Sequence, residues 1–248
     1  MSFIARRFAT DSVEHCIKPE DLSSSERKNQ FYCPGCPCVF LYRSESSNEK
    51  AAHFYRHGHH YPGCWMPYAE SISGDTEWDV AKDFRIEDFY SSIISSKKRS
   101  GGGPGTAGGG SSGVTRKRLS TLRNLYKFCC YHDNDSILHD NVTVKDVLVA
   151  RKTSYLYTTY VKGIRLIEAR YWRYDPEAHN LFFLYPYSAK VAGEARFKID
   201  IKCPKELFPR LRDRVYSTDS VVLLMCDWTF SSGCIHGTLS NAHQLVVL

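Results

Sequence analysis

Hydrophobic and polar residues alternate in the last third of the chain with the two-residue period of β-strands. Between residues 163 and 248 this pattern predicts five strands, GIRLIEARYWRY, NLFFLYPY, EARFKIDIK, SVVLLMCDW and CIHGTLSNAHQLVVL. Turn residues separate the segments, and a short helix-like stretch, PKELFPRLRDRV, lies between the third and the fourth. The pattern therefore predicts a small β-rich unit that carries one helix.

The order of these elements is three strands, a short helix and two strands, which resembles the order in the OB-fold, a five-stranded barrel. Strict alternation along the first strand predicts two faces, one with Arg165, Ile167, Ala169, Tyr171 and Arg173, the other with Leu166, Glu168, Arg170, Trp172 and Tyr174. Both faces mix aromatic, aliphatic and charged residues. Such mixing is expected of a strand that is partly exposed to a ligand.

Two upstream segments have the spacing of helices instead. Residues 77–94 place apolar side chains near helical spacing, and residues 116–130 do the same, with Arg123 and Lys127 on the polar side. Earlier still, the segment FYCPGCPCVFLYR, which begins at Phe31, indicates a strand that enters and leaves a turn. The N-terminal part is therefore predicted to mix strands and a helix.

The stretch SGGGPGTAGGGSSG, residues 100–113, holds 8 of the 16 glycines and no large side chain. Because it cannot bury apolar surface to offset the entropy of ordering, it is predicted to be a flexible tether. The alternative is a long loop within one domain. We predict a first module at residues 1–96, a tether at 97–115, and a second module at 116–248 that begins with a helix.

Charge is spread unevenly over these modules, although the net charge of the chain is only +6. Residues 1–95 contain 10 Lys and Arg against 14 Asp and Glu, and residues 96–248 contain 23 against 13. The basic part suggests a polyanionic partner, with a merely solvated surface as the alternative. No apolar stretch approaches the roughly 18 residues of a membrane span, and the first residues have no secretory pattern, so we expect a cytoplasmic protein without a membrane partner.

In a reducing cytoplasm the ten cysteines are expected to be free, reactive or metal-bound, and disulfides are the less favoured interpretation. Cys33 and Cys36 form a C-x-x-C pair, and the segment HFYRHGHHYPGC follows within 30 residues. Zn²⁺ prefers four thiolate or imidazole ligands, which proteins commonly supply as two close pairs. The sequence therefore predicts a zinc site; a redox pair would need a strand-to-helix context that VFLYR does not provide. The second pair is Cys64 with one of four histidines, His53, His57, His59 or His60.

Residues 3–70, through FIARRFATDSVEHC, FYCPGC, HFYR and a later Cys, resemble the N-terminal zinc region of competence-protein CoiA-like proteins. The resemblance implies that the ligands are Cys33, Cys36, His53 and Cys64, and that residues 1–96 are a CoiA-like zinc-binding module. Where the family has a second histidine in its HF-x-H motif this chain has Arg56, which leaves His57 or His60 as alternatives. We therefore predict an α+β protein in which a small zinc-knuckle module is tethered to a five-stranded OB-like β-barrel module.

The resemblance also implies a nuclease, because CoiA-like proteins typically carry a restriction-type nuclease domain. Such chemistry requires acidic side chains that hold a divalent metal, with a lysine beside the phosphate. Asp200 and Lys202 on FKIDIKCP are the one strand-borne pair, and a solvated barrel surface explains them equally well. The sequence has no glycine-rich phosphate loop, no G-x-S-x-G and no H-E-x-x-H. We therefore expect a protein without catalytic activity and predict no catalytic residue.

Aromatic and basic residues are interleaved in the second module, where rings on a sheet can stack unpaired bases and cations can follow phosphates. The predicted contact residues for single-stranded DNA or RNA are Arg165, Arg170, Tyr171, Trp172, Arg173, Tyr185, Lys198 and Lys202. The sequence thus predicts a zinc-containing nucleic-acid-binding protein. The alternatives are a CoiA-like nuclease, active or degenerate, and an adaptor that binds a protein partner in a defence, plasmid or competence system.

Overall fold

The structure is a computed structural model whose description covers most of the chain. The described residues are 2, 4–11, 13–45, 52–61, 64–67, 76–79, 84–95, 115–153, 156–157, 160–185, 197–216 and 221–248. The predicted tether, residues 97–115, lies outside them apart from residue 115. The chain forms two compact units, Met1–Ser73 and Gly74–Leu248.

The first unit contains a three-stranded antiparallel sheet. Its strands are β1 (Gln30–Tyr32), β2 (Val39–Arg43) and β3 (His53–His57), in the order β1-β2-β3. Three single-turn 3₁₀ helices precede it, at Val13–His15, Pro19–Asp21 and Glu26–Lys28. Phe31, Phe40 and Phe54 are fully buried within this unit. Tyr32 pairs with Val39, so residues 33–38 form a tight turn between β1 and β2, as the sequence predicted.

The second unit is built around a closed barrel of five strands. These are β9 (Gly163–Asp175), β10 (Asn180–Tyr185), β11 (Phe197–Lys202), β12 (Val221–Ser231) and β13 (Cys234–Thr238). The order around the barrel is β9-β10-β11-β13-β12, and β12 closes it by pairing with β9. All neighbours are antiparallel except β11 and β13, which are parallel. The predicted α+β class and OB-like barrel are confirmed.

The barrel forms because alternate residues of each strand are apolar. The inward-facing residues, such as Leu181 and Phe183 of β10 or Ile199 and Ile201 of β11, are completely buried in a common core. Helix α4 (Phe208–Tyr216) lies between β11 and β12, where the sequence predicted a helix, and adds Phe208, Leu211 and Val215 to the core. Burial of one such side chain contributes about 1.5–3 kcal/mol.

The last predicted strand is two strands in the structure. A 3₁₀ helix, Ala242–Gln244, separates β13 from β14 (Leu245–Val247), and β14 pairs with β12. The buried Gln244 organises this break, because its side-chain oxygen accepts hydrogen bonds from the backbone amides of Ser240 and Asn241 while its nitrogen donates to the carbonyl of Met225. The side chain of Gln244 thus stabilises the segment that separates β13 from β14.

Both upstream helix predictions are correct only in their second halves. Helix α1 is Ile86–Ser95, and residues 76–79 form β4 (Thr76–Asp79) instead. Helix α2 is Leu122–Tyr131, and residues 115–118 form β5 (Thr115–Arg118), which pairs in parallel with β4. Thr121 ends the non-helical segment, because its hydroxyl accepts a hydrogen bond from the amide of Asn124 and so caps α2. Pairing between distant strands replaced the local helical preference.

Helix α1 belongs to the second unit, whereas the predicted boundary at residue 96 assigned it to the first module. The Tyr90 hydroxyl accepts a hydrogen bond from the amide of Asp227 at 3.3 Å. The Asn241 side chain donates to the carbonyl of Ile94 at 3.1 Å. Apolar residues of α1, among them Phe89 and Ile93, are buried. The periodicity identified the packing face, and only the fold shows that it packs in the barrel unit.

The remaining elements extend the barrel unit between α2 and β9. They are β6 (Ile137–His139), β7 (Val142–Thr143), helix α3 (Val144–Val147) and β8 (Leu148–Val149), of which β8 pairs in parallel with β9. In the part of the chain that the structure describes, no helix has the length and apolar character needed to cross a membrane.

Candidate metal centre and barrel surface

Three cysteines and one histidine of the first unit lie together at the turn between β1 and β2. The Nδ1 atom of His60 is 3.4 Å from the Sγ of Cys33 and 3.5 Å from those of Cys36 and Cys64. The Sγ atoms of Cys33 and Cys64 are 3.6 Å apart, and all four ligand atoms lie within 4.8 Å of one another. Among the described residues, this is the group of His, Cys, Asp or Glu side chains close enough to share a metal ion.

The distances fit tetrahedral coordination of a single ion. With metal–sulfur bonds of about 2.3 Å and metal–nitrogen bonds of about 2.0 Å, a tetrahedron has sulfur atoms about 3.8 Å apart and sulfur and nitrogen about 3.5 Å apart. The three sulfur–nitrogen separations of 3.4–3.5 Å and the 3.6 Å separation of the Cys33 and Cys64 sulfurs match these edges. The Cys₃His cluster can therefore hold a metal ion with four protein ligands.

Backbone contacts hold the turn that carries the first two cysteines. The amide of Cys33 donates to the carbonyl of Cys38 at 2.8 Å, and the amide of Gly35 donates to the Sγ of Cys33 at 3.3 Å. Gly35 is required sterically, because a Cβ there would lie 2.7 Å from the Sγ of Cys64 and 3.0 Å from the Nε1 of Trp65. The glycine of the C-P-G-C motif thus allows Cys64 to approach Cys33 and Cys36.

His60 is the histidine of the cluster, so the assignment of His53 from the family resemblance is wrong for this structure. His53 is buried at 4% exposure and pairs with Arg43, at the end of β2 that is remote from the turn. Arg43 is four residues beyond Val39, where β2 begins, a span of about 13 Å along a strand. His57 and His59 are exposed. After β3 the chain turns at Gly58, with φ of 114°, and brings His60 back to the cysteines.

The surroundings of the cluster shift the pKa values of its thiols in different directions. Burial raises the pKa of the Cys33 thiol, the most enclosed of the three. Hydrogen bonds from Cys33 and then from Cys64 lower the pKa of Cys36. A divalent cation would replace the remaining protons, because metal ligation requires thiolates. Cys38 is a further cysteine of this turn that does not belong to the cluster; it is buried, and burial raises its pKa.

On the barrel, aromatic rings and cations are interleaved on the outer face of β9, β10 and β11. The Arg173 guanidinium carbon lies 4.9 Å from the centre of the Trp172 ring and 4.6 Å from that of Phe182, and the Lys198 ammonium lies 5.3 Å from the Trp172 ring. Trp172 is 43% exposed. We call Trp172, Arg173, Phe182 and Lys198 the ring–cation cluster. Both cations lie within cation–π distance of a ring.

A β-bulge in β9 produces this arrangement. Phe182 pairs with Arg173 and Phe183 pairs with Tyr171, so Trp172 is the extra residue. The bulge interrupts the strict alternation that the sequence predicted, and it turns Arg173 outward beside Trp172 while Tyr174 packs against the core. The predicted two faces of this strand are therefore correct up to Trp172 and wrong for Arg173 and Tyr174, which exchange faces.

The predicted contact residues fall at several places. Arg170 pairs with Leu184 and lies with it on the outer face of the sheet. Lys202 is exposed on β11. Tyr171 instead packs against the core, with its ring edge-on to Phe183. Arg165 lies on the same side of β9 as the buried Ile167. It is close to Tyr157: burial raises the pKa of the tyrosine, and Arg165 lowers it by a smaller amount. Tyr185 is the last residue of β10, and its side chain lies outside what the structure describes.

Two residues that matter at these sites were not selected from the sequence. Phe182 joins the ring–cation cluster, and alternation in NLFFLYPY could have placed it opposite the buried Leu181 and Phe183. Arg6 donates hydrogen bonds to the carbonyls of Cys33 and Cys36. No local signal distinguishes it from its exposed neighbour Arg7.

The acidic residue of this face has polar neighbours. The Asn180 side chain donates to Asp200 at 2.9 Å, and the Nδ1 of His236 lies 3.7 Å from the other carboxylate oxygen of Asp200. Within the described residues, Asp200 does not join two further His, Cys, Asp or Glu ligands at metal-binding distance. Asp200 thus lies between Lys198 and Lys202 on a mixed-charge strand.

The fold and site define the class as an α+β protein with a closed five-stranded barrel and a Cys₃His cluster that could hold a metal ion. Comparisons with protein-family models, with curated proteins and with solved structures each found no match.

Proposed function

We propose that this chain is a zinc-containing protein that binds single-stranded nucleic acid on the outer face of β9, β10 and β11. The observation that carries the proposal is the ring–cation cluster, in which Arg173 and Lys198 lie over exposed or half-exposed rings. The strand order supports the location, because OB-type barrels use the face of their second and third strands, here β10 and β11, for oligonucleotides.

The chemistry of the cluster suits an unpaired strand. A base can stack on the indole of Trp172, while Arg173 and Lys198 exchange their ring contacts for phosphate oxygens. Lys202, two residues beyond Asp200 on the same strand, supplies a further exposed cation. A duplex hides its base faces, so this surface would favour single strands. Base stacking on one ring contributes about 1–3 kcal/mol.

Zinc is the proposed ion because of the donor set. Three thiolates and one imidazole at tetrahedral separations suit Zn²⁺, whereas Mg²⁺ and Ca²⁺ prefer oxygen ligands. With all four positions filled by protein, the ion would be structural: it would hold the β1–β2 turn to the segment that carries His60 and Cys64. CoiA-like ancestry of the first unit remains part of this proposal.

The test is fluorescence anisotropy with labelled single-stranded DNA, single-stranded RNA and duplex DNA, at several salt concentrations. Trp172→Ala should weaken single-strand binding by about 1–3 kcal/mol with little change in salt slope. Lys198→Ala should lower the slope of log affinity against log salt by about 0.7. Tyr131, on α2, is a matched control because it is 42% exposed and lies outside the cluster.

The same assay distinguishes the alternatives. If Trp172→Ala and Tyr131→Ala, both shown to be folded by circular dichroism, bind like the parent, this surface is not the binding site. Cleavage of the oligonucleotide after addition of Mg²⁺ or Mn²⁺ would favour the nuclease interpretation. A parent protein that binds no nucleic acid would favour the protein-interaction adaptor.

A further inference from the structure

One buried arginine lies against the backbone of the metal centre. Arg6 is only 9% exposed, and its backbone is fixed by a reciprocal pair of hydrogen bonds with Tyr32, the residue before Cys33. This pairing places the Arg6 side chain beside the C-x-x-C turn. Its neighbour Arg7 is directed elsewhere and forms an exposed ion pair with Glu26.

The guanidinium of Arg6 donates to both cysteines of the turn. Its Nε donates to the carbonyl of Cys33 at 2.9 Å and one terminal nitrogen donates to the carbonyl of Cys36 at 2.8 Å. The other terminal nitrogen donates to the carbonyls of Ala9 and Asp11, at 3.0 and 2.8 Å. A planar fork thus ties two ligand residues to the N-terminal segment.

The charge of the arginine also complements the centre. Three thiolates and a neutral imidazole around a divalent ion leave one net negative charge in a largely buried site. An uncompensated buried charge is costly, and an adjacent cation reduces that cost. Within the part of the chain that the structure describes, the guanidinium donates to four backbone carbonyls and forms no ion pair, so its positive charge lies beside the centre without a carboxylate partner there.

We propose that Arg6 is a positioning residue of the metal centre, which holds the carbonyls of Cys33 and Cys36 in the metal-binding conformation and compensates the charge of the loaded site. The inference rests on the zinc part of the proposed function and is independent of nucleic-acid binding. Residues that orient metal ligands in this way typically change metal affinity by about 10- to 100-fold when they are replaced.

The experiment compares Arg6→Gln, Arg6→Lys and the control Arg7→Gln in the full chain. Zinc affinity is measured by competition with a chromophoric chelator, and the visible spectrum of Co²⁺-substituted protein reports tetrahedral thiolate ligation. We expect Arg7→Gln to behave as the parent, Arg6→Gln to bind zinc about 10- to 100-fold more weakly with an altered Co²⁺ spectrum, and Arg6→Lys to fall between them because it keeps the charge but loses the fork.

The outcomes separate this inference from the zinc proposal. A parent protein that binds neither Zn²⁺ nor Co²⁺ overturns both. If the parent binds zinc and both Arg6 variants bind it with the parent's affinity and spectrum, only the role of Arg6 is overturned. If Arg6→Gln is unfolded without metal, a titration in which zinc refolds the protein gives the affinity instead. A zinc concentration at half-refolding equal to that of the Arg7→Gln control counts against the proposed role of Arg6. A higher zinc concentration at half-refolding supports that role.

Discussion

Gly237 of β13 lies directly against the indole of Trp228 on β12. A Cβ at Gly237 would be 2.7 Å from Cζ3 and 2.9 Å from Cε3 of that ring. Trp228 is 1% exposed, belongs to the barrel core, and donates a hydrogen bond from Nε1 to the carbonyl of Arg165 at 2.8 Å. The ring is therefore held by both packing and a hydrogen bond, and the close approach of β13 depends on the absence of a side chain.

Gly237→Ala should consequently destabilise the barrel. The added methyl group must displace a ring that has no free space, and such overpacking costs about 1–3 kcal/mol. Chemical denaturation followed by the fluorescence of the tryptophans measures the change. Thr238→Ala, one residue further along and exposed, adds no atoms and serves as the control. Equal stability of the two variants would show that Trp228 can move aside.

Replacing His60 should remove a metal ligand, whereas replacing His59 should not. His60→Ala leaves three thiolates, and zinc bound per purified chain should fall well below the value of about one expected for the parent. His59 is the control because it is adjacent and exposed. Elemental analysis after dialysis measures the difference. Zinc retained by His60→Ala and lost by His53→Ala would restore the ligand set implied by the family resemblance.

Lys152 caps the end of α2 from a buried position. Its ammonium group donates to the carbonyl of Cys129 at 2.8 Å and to that of His132, and Lys152 is only 4% exposed. Lys152→Met fills a similar volume but leaves these carbonyls without their charged donor, so we expect a loss of about 1.5–3 kcal/mol. Thermal unfolding measures it, with the exposed Lys162→Met as control. A loss no larger than that of the control would mean that water replaces the ammonium group.

Glu168 should make the stability of the barrel unit depend on pH. Burial raises the pKa of its carboxyl group, against smaller lowering effects of Arg151 and of the hydrogen bond from the Tyr126 hydroxyl at 3.1 Å. Between the unfolded and the raised folded pKa the native state binds the extra proton, so stability falls as pH rises, by up to about 1.4 kcal/mol for each pH unit.

Glu168→Gln removes this titration while it keeps an acceptor for Tyr126. Urea unfolding of parent and variant from pH 5 to pH 9 should show the parent losing stability relative to the variant as the pH increases through the raised pKa. Other titrating groups cancel in the difference. Two curves that stay parallel over the whole range would show that Glu168 has the same pKa in the folded and unfolded states.

Much of the barrel was predictable from the sequence because strand alternation is local information. Each of the first four predicted strands overlaps an observed one, and α4 lies between the third and the fourth as predicted. The three cysteines of the cluster were predictable for a similar reason: Cys33 and Cys36 are separated by only two residues on one turn, and Cys64 is the cysteine that closes the histidine-rich run. The positive net charge of residues 96–248 likewise follows from the residue types alone.

The tertiary structure decided what depends on distant partners. His60 rather than His53 joins the cysteines because the pairing of β3 with β2 carries His53 away from the turn and Gly58 brings the chain back. The bulge at Trp172 exists only against β10, and it places Arg173 outward, which alternation cannot foresee. Residues 76–79 form a strand because a partner strand, β5, pairs with them. Hydrogen bonds between residues far apart in sequence fix these features, and a local pattern of residue types contains no information about such partners.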